Sequence, residues 1–206
     1  MFLSGFFPEP LALSPGPCLM NIILIGYRGS GKTSVGRELA KLLNRPLFDS
    51  DRMVFAKTGR TVREIVEAGG WPAFREAEKS VIGELAALDQ AVISLGGGAV
   101  LDADNVAALE KRGMFVWLTA DARTLATRLE NEQDESGQRP SLTGAGALNE
   151  IERVLAERLP VYEAVADLAV DTAGKSPAGI AAEIAAALPE GREHRAREKG
   201  RKPHVR

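Results

Sequence analysis

Gly26-Tyr27-Arg28-Gly29-Ser30-Gly31-Lys32-Thr33 fits the pattern G-x-x-x-x-G-K-S/T in full. Its flanks carry the context that the pattern needs. Asn21–Tyr27 is a short apolar run rich in Ile and Leu, which reads as a buried strand. Lys32–Leu43 places Val35, Leu39 and Leu42 at helical spacing. Glycines let a strand-to-helix loop curl so that successive N–H groups point inward, and the helix N-terminus adds partial positive charge. Such a loop cradles phosphate. Lys32 suits the β- and γ-phosphates of a nucleotide, and the Thr33 hydroxyl suits Mg²⁺.

Outward from this loop, strand and helix signals alternate. Strands are expected at Pro46–Asp49, Ala91–Leu95, Met114–Thr119 and Leu168–Val170. Helices are expected at Thr61–Ala68, Pro72–Leu88, Asp104–Lys111, Asp121–Leu129 and Leu148–Leu159, the last stopped by Pro160. Asn131–Gly144 is polar and lacks apolar periodicity, as an irregular mobile lid would. Ser176 and Pro177 form a cap and first position for a final Ala-rich helix reaching Leu188. Short apolar strands separated by helices imply α/β architecture: a five-stranded parallel sheet flanked by helices, in a single domain built around the phosphate loop. That domain is expected over residues 20–190, between an N-terminal extension (1–19) and a basic tail (191–206).

Composition supports one globular core, with 45% hydrophobic and 26% charged residues in 206. Cys18 is the sole cysteine, so no internal disulfide is possible. Both histidines, His194 and His204, lie in the tail, which removes His-based triads and most zinc sites from the body of the chain. The first twenty residues are apolar but carry Glu9 as their only charge and are broken by Pro8, Pro10, Pro15 and Pro17, unlike a secretory signal. Met20 is a second candidate start, and the cytoplasm is the expected compartment. The last sixteen residues hold seven Lys/Arg and two Glu, a local +5 that leaves −7 on the remaining 190 against the whole-chain −2. A solvated, disordered tail is the ordinary reading, and an arm for a polyanion is the alternative. No membrane, no nucleic acid and a monomer are expected.

A phosphate loop does not define a reaction, so the acceptor side must. Asp49 and Asp51 end the second strand, where one carboxylate could support Mg²⁺ and the other could accept a hydroxyl proton; Asp51 as a plain helix cap is the alternative. Gly96-Gly97-Gly98 ends the third strand and leaves main chain open to a small polar ligand, or is simply a turn. Arg75 and Glu78 share a helix face, either as a surface ion pair or as a held arginine fork. Arg139 and Arg158 each precede a proline or lie two before one, and singly each reads as a surface residue.

Jointly, GYRGSGKTSVGRELA, FDSD, AFREAE, ISLGGGAV, QRPSL and ERLPVYEAVA stand in the order and rough spacing of the shikimate kinase family, which this chain resembles from about Met20 to Leu188. The resemblance implies a single P-loop kinase domain of nucleoside-monophosphate-kinase-like fold: an ATP-dependent phosphotransferase with shikimate as acceptor and Mg²⁺ as cofactor, in aromatic amino-acid biosynthesis through chorismate. It implies that Gly29, Ser30, Gly31, Lys32, Thr33 and Ser34 bind ATP, together with Arg128, the lid residue Arg139, and Lys175, Ser176 and Pro177 beside adenine. Thr33 and Asp49 then belong to the metal, and Asp51, Arg75, Gly97 and Arg158 to shikimate, with Lys32, Asp51 and Arg139 catalytic. Departures from the family pattern include Val66 where Phe is frequent, Trp71 where Glu is frequent, Pro-Ser-Leu after Arg139, and a longer lid. A gluconate or nucleoside monophosphate kinase would share the loop but need another acceptor pocket. A GTP switch would need its D-x-x-G earlier than Asp171-Thr172-Ala173-Gly174, and an N-K-x-D, which the chain lacks. A silent binding module would leave catalytic positions unfilled.

Overall fold

The computed structural model describes residues 20–131 and 147–189. Strand β1 (Asn21–Ile25) leads through the glycine loop into helix α1 (Lys32–Leu43), followed by β2 (Leu47–Asp49), α2 (Ser50–Thr58) and α3 (Val62–Leu85). Then come β3 (Val92–Ser94), a short 3-10 turn at Ala99–Leu101, α4 (Ala103–Leu109), β4 (Gly113–Thr119) and α5 (Ala122–Asn131). Helix α6 (Ala147–Val165), β5 (Leu168–Asp171) and α7 (Pro177–Ala187) complete the described chain. All pairings are parallel, in the order β2-β3-β1-β4-β5.

The period-2 alternation of β1 explains why the sheet must be covered on both faces. Ile23 and Ile25 pack with Phe74, Leu85, Ile93, Phe115 and Tyr162, on the side of α3 and α6. Ile22 and Leu24 pack with Val35, Leu39, Val116, Ile180 and Ile184, on the side of α1 and α7. Each of these β1 side chains is essentially fully buried. At about 1.5–3 kcal/mol per buried aliphatic side chain, this central strand is a major source of stability.

Register then fixes the functional edge. Ser94 of β3 pairs with both Leu24 of β1 and Asp49 of β2. The loops that begin at Gly26, Ser50 and Gly96 therefore leave the sheet side by side, beyond the carboxyl ends of the strands, where open α/β sheets bind ligands. At the opposite end of β1, buried Asn21 locks the strands: its Nδ2 donates to the Leu88 carbonyl (2.6 Å), and its Oδ1 accepts from the Ala91 N–H (2.9 Å).

The expected elements are present, with three differences. Helix α2 has no counterpart among them, because only Ser50 and Val54 are buried along it and its apolar spacing is weak. The expected helices Thr61–Ala68 and Pro72–Leu88 form one element broken at Gly70, which adopts φ 72° and ψ 179°. Helix α6 does not stop at Pro160 but runs on to Val165. Pro160 and Ala156, whose carbonyl loses its partner, are both exposed, so water can take the freed acceptor, while Tyr162 and Val165 anchor the next turn in the core. Arg139 and the expected lid beyond Asn131, which itself ends α5, lie outside the described residues.

Asn21→Ala would leave two main-chain groups without their side-chain partners. The expected loss is about 2–6 kcal/mol at about 1–3 kcal/mol per buried group. In urea titration the midpoint should fall with the slope unchanged.

Candidate active site

The phosphate loop has a backbone that side chains would prevent. Gly26 lies at φ 140°, Gly29 at 79° and Gly31 at 91°. A Cβ at Gly26 would also sit 2.6 Å from the Leu118 carbonyl. Gly31 caps α1 with no side-chain hydrogen bond, and no acidic residue occupies the first turn. The exposed helix N–H groups and dipole thus favour an anion from outside. Lys32 folds back over the loop, its Nζ donating to the carbonyls of Gly26 (2.9 Å) and Tyr27 (2.8 Å). Ser34 is exposed in the same turn.

Thr33 Oγ1 donates to Asp49 Oδ2 at 3.0 Å, which joins the loop to β2. Asp49 Oδ1 accepts from the Asp51 N–H (3.1 Å) and the Arg52 N–H (3.3 Å). Asp49, and not Asp51, is therefore the cap of α2, and its carboxylate has two tasks. The helix-cap alternative for Asp51 falls away, and Asp51 stands half-buried on the first turn of α2. Ser50, buried between the two aspartates, accepts from the Gly96 N–H at 2.8 Å and so ties this turn to the glycine triplet.

The triplet is enclosed rather than open. Gly97 has its carbonyl held by the Tyr162 hydroxyl (2.6 Å) and by Arg158 Nη1 (3.2 Å). A Cβ there would meet the Gly26 carbonyl at 3.2 Å, so Gly97 is packed directly on the phosphate loop. A Cβ on Gly98 would lie 2.5 Å from Arg75 Nη2. The two arginines expected to grip one acceptor thus rest on successive glycines. Arg75 is ion-paired to Glu78, which is 1% exposed, so the pair is no surface ornament. The Arg75 guanidinium also lies 5.3 Å from the Phe74 ring. Arg158 lies 5.7 Å over the Tyr27 ring. Burial pushes the Tyr27 phenol upward; Arg158 opposes that, and the phenol stays neutral at ordinary pH.

On the far side, Arg128 Nη1 donates to the Gly29 carbonyl (3.3 Å) and Thr172 Oγ1 (2.9 Å), and its Nη2 donates to the Thr172 carbonyl (2.8 Å). It connects the phosphate loop to the segment after β5. In that segment, Ser176 Oγ accepts from the Gly179 N–H (3.1 Å), and Pro177 opens α7, as a helix cap requires. Lys175 pairs with Glu183 at 2.7 Å on the surface, so its ammonium is directed along α7.

The structure therefore draws the loop, Asp49, Asp51, Arg75, Gly97, Arg158 and Arg128 to one edge of the sheet. Three further residues hold them there: Ser50, Tyr162 and Thr172. The spacing from Arg158 to Tyr162, one helical turn, was the available signal for Tyr162. Ser50 and Thr172 offered none beyond adjacency to the motifs.

Oxygen donors gather at Thr33 and Asp49, and among the described residues no cluster of three or more His, Cys, Asp or Glu could hold a metal. One carboxylate with one hydroxyl fits Mg²⁺, which binds few protein groups and keeps substrate phosphates and water. No described helix is long and apolar enough to cross a membrane.

Known proteins resemble this chain in sequence and in fold. The family model for shikimate kinase matches residues 28–189. A shikimate kinase of Syntrophus aciditrophicus is 42% identical over 172 residues, covering 80% of this chain and 88% of that protein. One of Oleidesulfovibrio alaskensis is 47% identical over 150 residues, covering 73% and 87%. The structure of a shikimate kinase from Acinetobacter baumannii in complex with shikimate superposes with a TM-score of 0.75 at 35% identity, covering 82% of this chain and 92% of that one.

Gly98→Ala should displace Arg75, whose guanidinium is the flexible partner in that contact. Acceptor affinity is expected to fall at least about tenfold, with ATP affinity little altered. Titration calorimetry with each ligand separately checks this.

Proposed function

The chain belongs to the shikimate kinase family, and from that premise we infer that it transfers the γ-phosphate of ATP to the 3-hydroxyl of shikimate, giving shikimate 3-phosphate and ADP. The observation that carries the acceptor assignment is the placement of Arg75 and Arg158 on consecutive glycines beside the phosphate loop. A ring acid with one carboxylate and several hydroxyls fits a site with cationic forks at one end and a carboxylate at the other. Gluconate kinase, the neighbouring alternative, is not favoured by the family match.

The roles follow from charge and position. The loop N–H groups from Gly29 to Ser34 and the α1 dipole hold the phosphates. Lys32 neutralises charge on the β- and γ-phosphates, a contribution stronger in a site that excludes water. Arg75 and Arg158 fix the acceptor by its carboxylate, and the Gly97 main chain sets its depth. Asp51 takes the proton from the attacking hydroxyl, so negative charge need not build up on that oxygen. Arg128 holds the nucleotide side together through Gly29 and Thr172, with the Lys175–Pro177 segment beside the base. Thr33 and Asp49 would hold Mg²⁺, which supplies neutralisation of phosphate charge when bound. We assign Arg139 to the nucleotide side by its motif alone. The reading includes a monomeric cytoplasmic enzyme without membrane or nucleic-acid partners.

Two isosteric substitutions separate the neighbouring carboxylates. Asp51→Asn should cut turnover by about 10²-fold or more, the range of a lost general base, with ATP and Mg²⁺ dependence intact. Asp49→Asn keeps a competent helix cap and so should keep stability. It should raise the Mg²⁺ concentration needed for half-maximal rate. Steady-state assays across Mg²⁺ concentrations report both, and exchanged phenotypes would reverse the assignment. Lys32→Ala should abolish transfer with the fold retained; near-normal turnover would contradict the role of the loop.

A further inference from the structure

Trp71 is a large apolar side chain left 51% exposed, at a place where the backbone is reset to present it. Gly70, at φ 72° and ψ 179°, breaks α3, and Pro72 restarts it one residue beyond the indole. A Cβ on Gly69 would stand 2.8 Å from the Ala73 Cβ, so the turn accepts little bulk before the tryptophan. A solitary exposed apolar residue is ordinary on protein surfaces. This one is not solitary. The Arg75 Cζ lies 5.7 Å from its ring centroid, and the indole meets the Phe74 ring edge-on at 6.0 Å and 79°. Leu42, Phe55 and Leu101 are also exposed, yet among the described residues only Trp71 of these four has a site arginine over its ring.

We propose that Trp71 is a positioning residue for the acceptor carboxylate, acting through Arg75. The Arg75 guanidinium has Glu78 as its ionic partner, the Gly98 backbone close to Nη2, and the buried ring of Phe74 near Cζ. Trp71 adds a second ring on the solvent side. Arginine is long and rotamer-rich, and fixing it when a ligand arrives costs affinity. Stacking against an aromatic face fixes the fork beforehand and leaves its in-plane N–H donors able to make a two-pronged contact. The benefit belongs to acceptor binding, so it appears in KM for shikimate and not in turnover. This proposal rests on the reading of Arg75 as a carboxylate-gripping residue.

The test is a double-mutant cycle with shikimate and ATP kinetics measured separately. Trp71→Leu keeps apolar cover but removes the ring. It should raise the shikimate KM about 3- to 10-fold, with kcat within about twofold and the ATP KM unchanged. Trp71→Phe should restore the KM to within about twofold of the parent, because the aromatic face returns. In an Arg75→Ala background, Trp71→Leu should have no further effect on the shikimate KM. Three results overturn the proposal. Trp71→Leu could alter only the melting temperature. Leu and Phe at this position could behave alike. The Trp71 effect could persist without Arg75, which would mean that the indole touches the acceptor directly. An unchanged shikimate KM in Arg75→Ala alone would instead refute the reading of Arg75, and the two failures are thereby distinguished.

Discussion

The pairing of β3 between β1 and β2 is the constraint on which the site depends. It aligns Leu24, Ser94 and Asp49 in one row of the sheet, so the phosphate loop, the aspartate turn and the glycine triplet emerge as neighbours. Donor-side and acceptor-side groups then need only short hydrogen bonds to become one unit. Thr33 to Asp49 and Gly96 to Ser50 are those bonds, and Gly97 packs directly against Gly26. A shift of register by one residue would turn every β1 side chain to the other face and separate the loops as well.

The acceptor end is built largely from main chain, and this explains its economy. Glycines at 97 and 98 remove the side chains that would otherwise keep Arg158 and Arg75 away. Tyr162 and Arg158 converge on the Gly97 carbonyl from one face of α6, so that helix positions both the arginine proposed to grip the substrate and its support. The nucleotide end is tied differently, through Arg128 and Thr172. Both ends reach the phosphate loop, Arg128 through Gly29 and Gly97 beside Gly26, which suits a reaction in which one phosphoryl group passes between two separately held molecules.

Much of this was legible in the sequence because it rests on local chemistry. The phosphate loop, the Ser176–Pro177 start of α7 and the apolar runs of β1 and β4 each declare themselves within a few residues. What escaped depends on tertiary context. Helix α2 buries too little to show a periodic stripe. Pro160 misled because the rule that proline ends helices holds only when the freed carbonyl has no water and the next turn no anchor. Here Tyr162 and Val165 supply the anchor. The division of labour between Asp49 and Asp51 was not readable from D-x-D alone, since either can cap the helix that follows. The geometry gives the cap to Asp49.

The central claim is that a carboxylate held by two arginines selects the acceptor. The most direct measurement is ATP consumption with shikimate against its methyl ester, which keeps the ring and all three hydroxyls but loses the charge. The account predicts efficient turnover of shikimate and a fall in kcat/KM of at least about 10²-fold with the ester, since each buried charged contact is worth roughly 1.5–3 kcal/mol. Equal turnover of the two would contradict it.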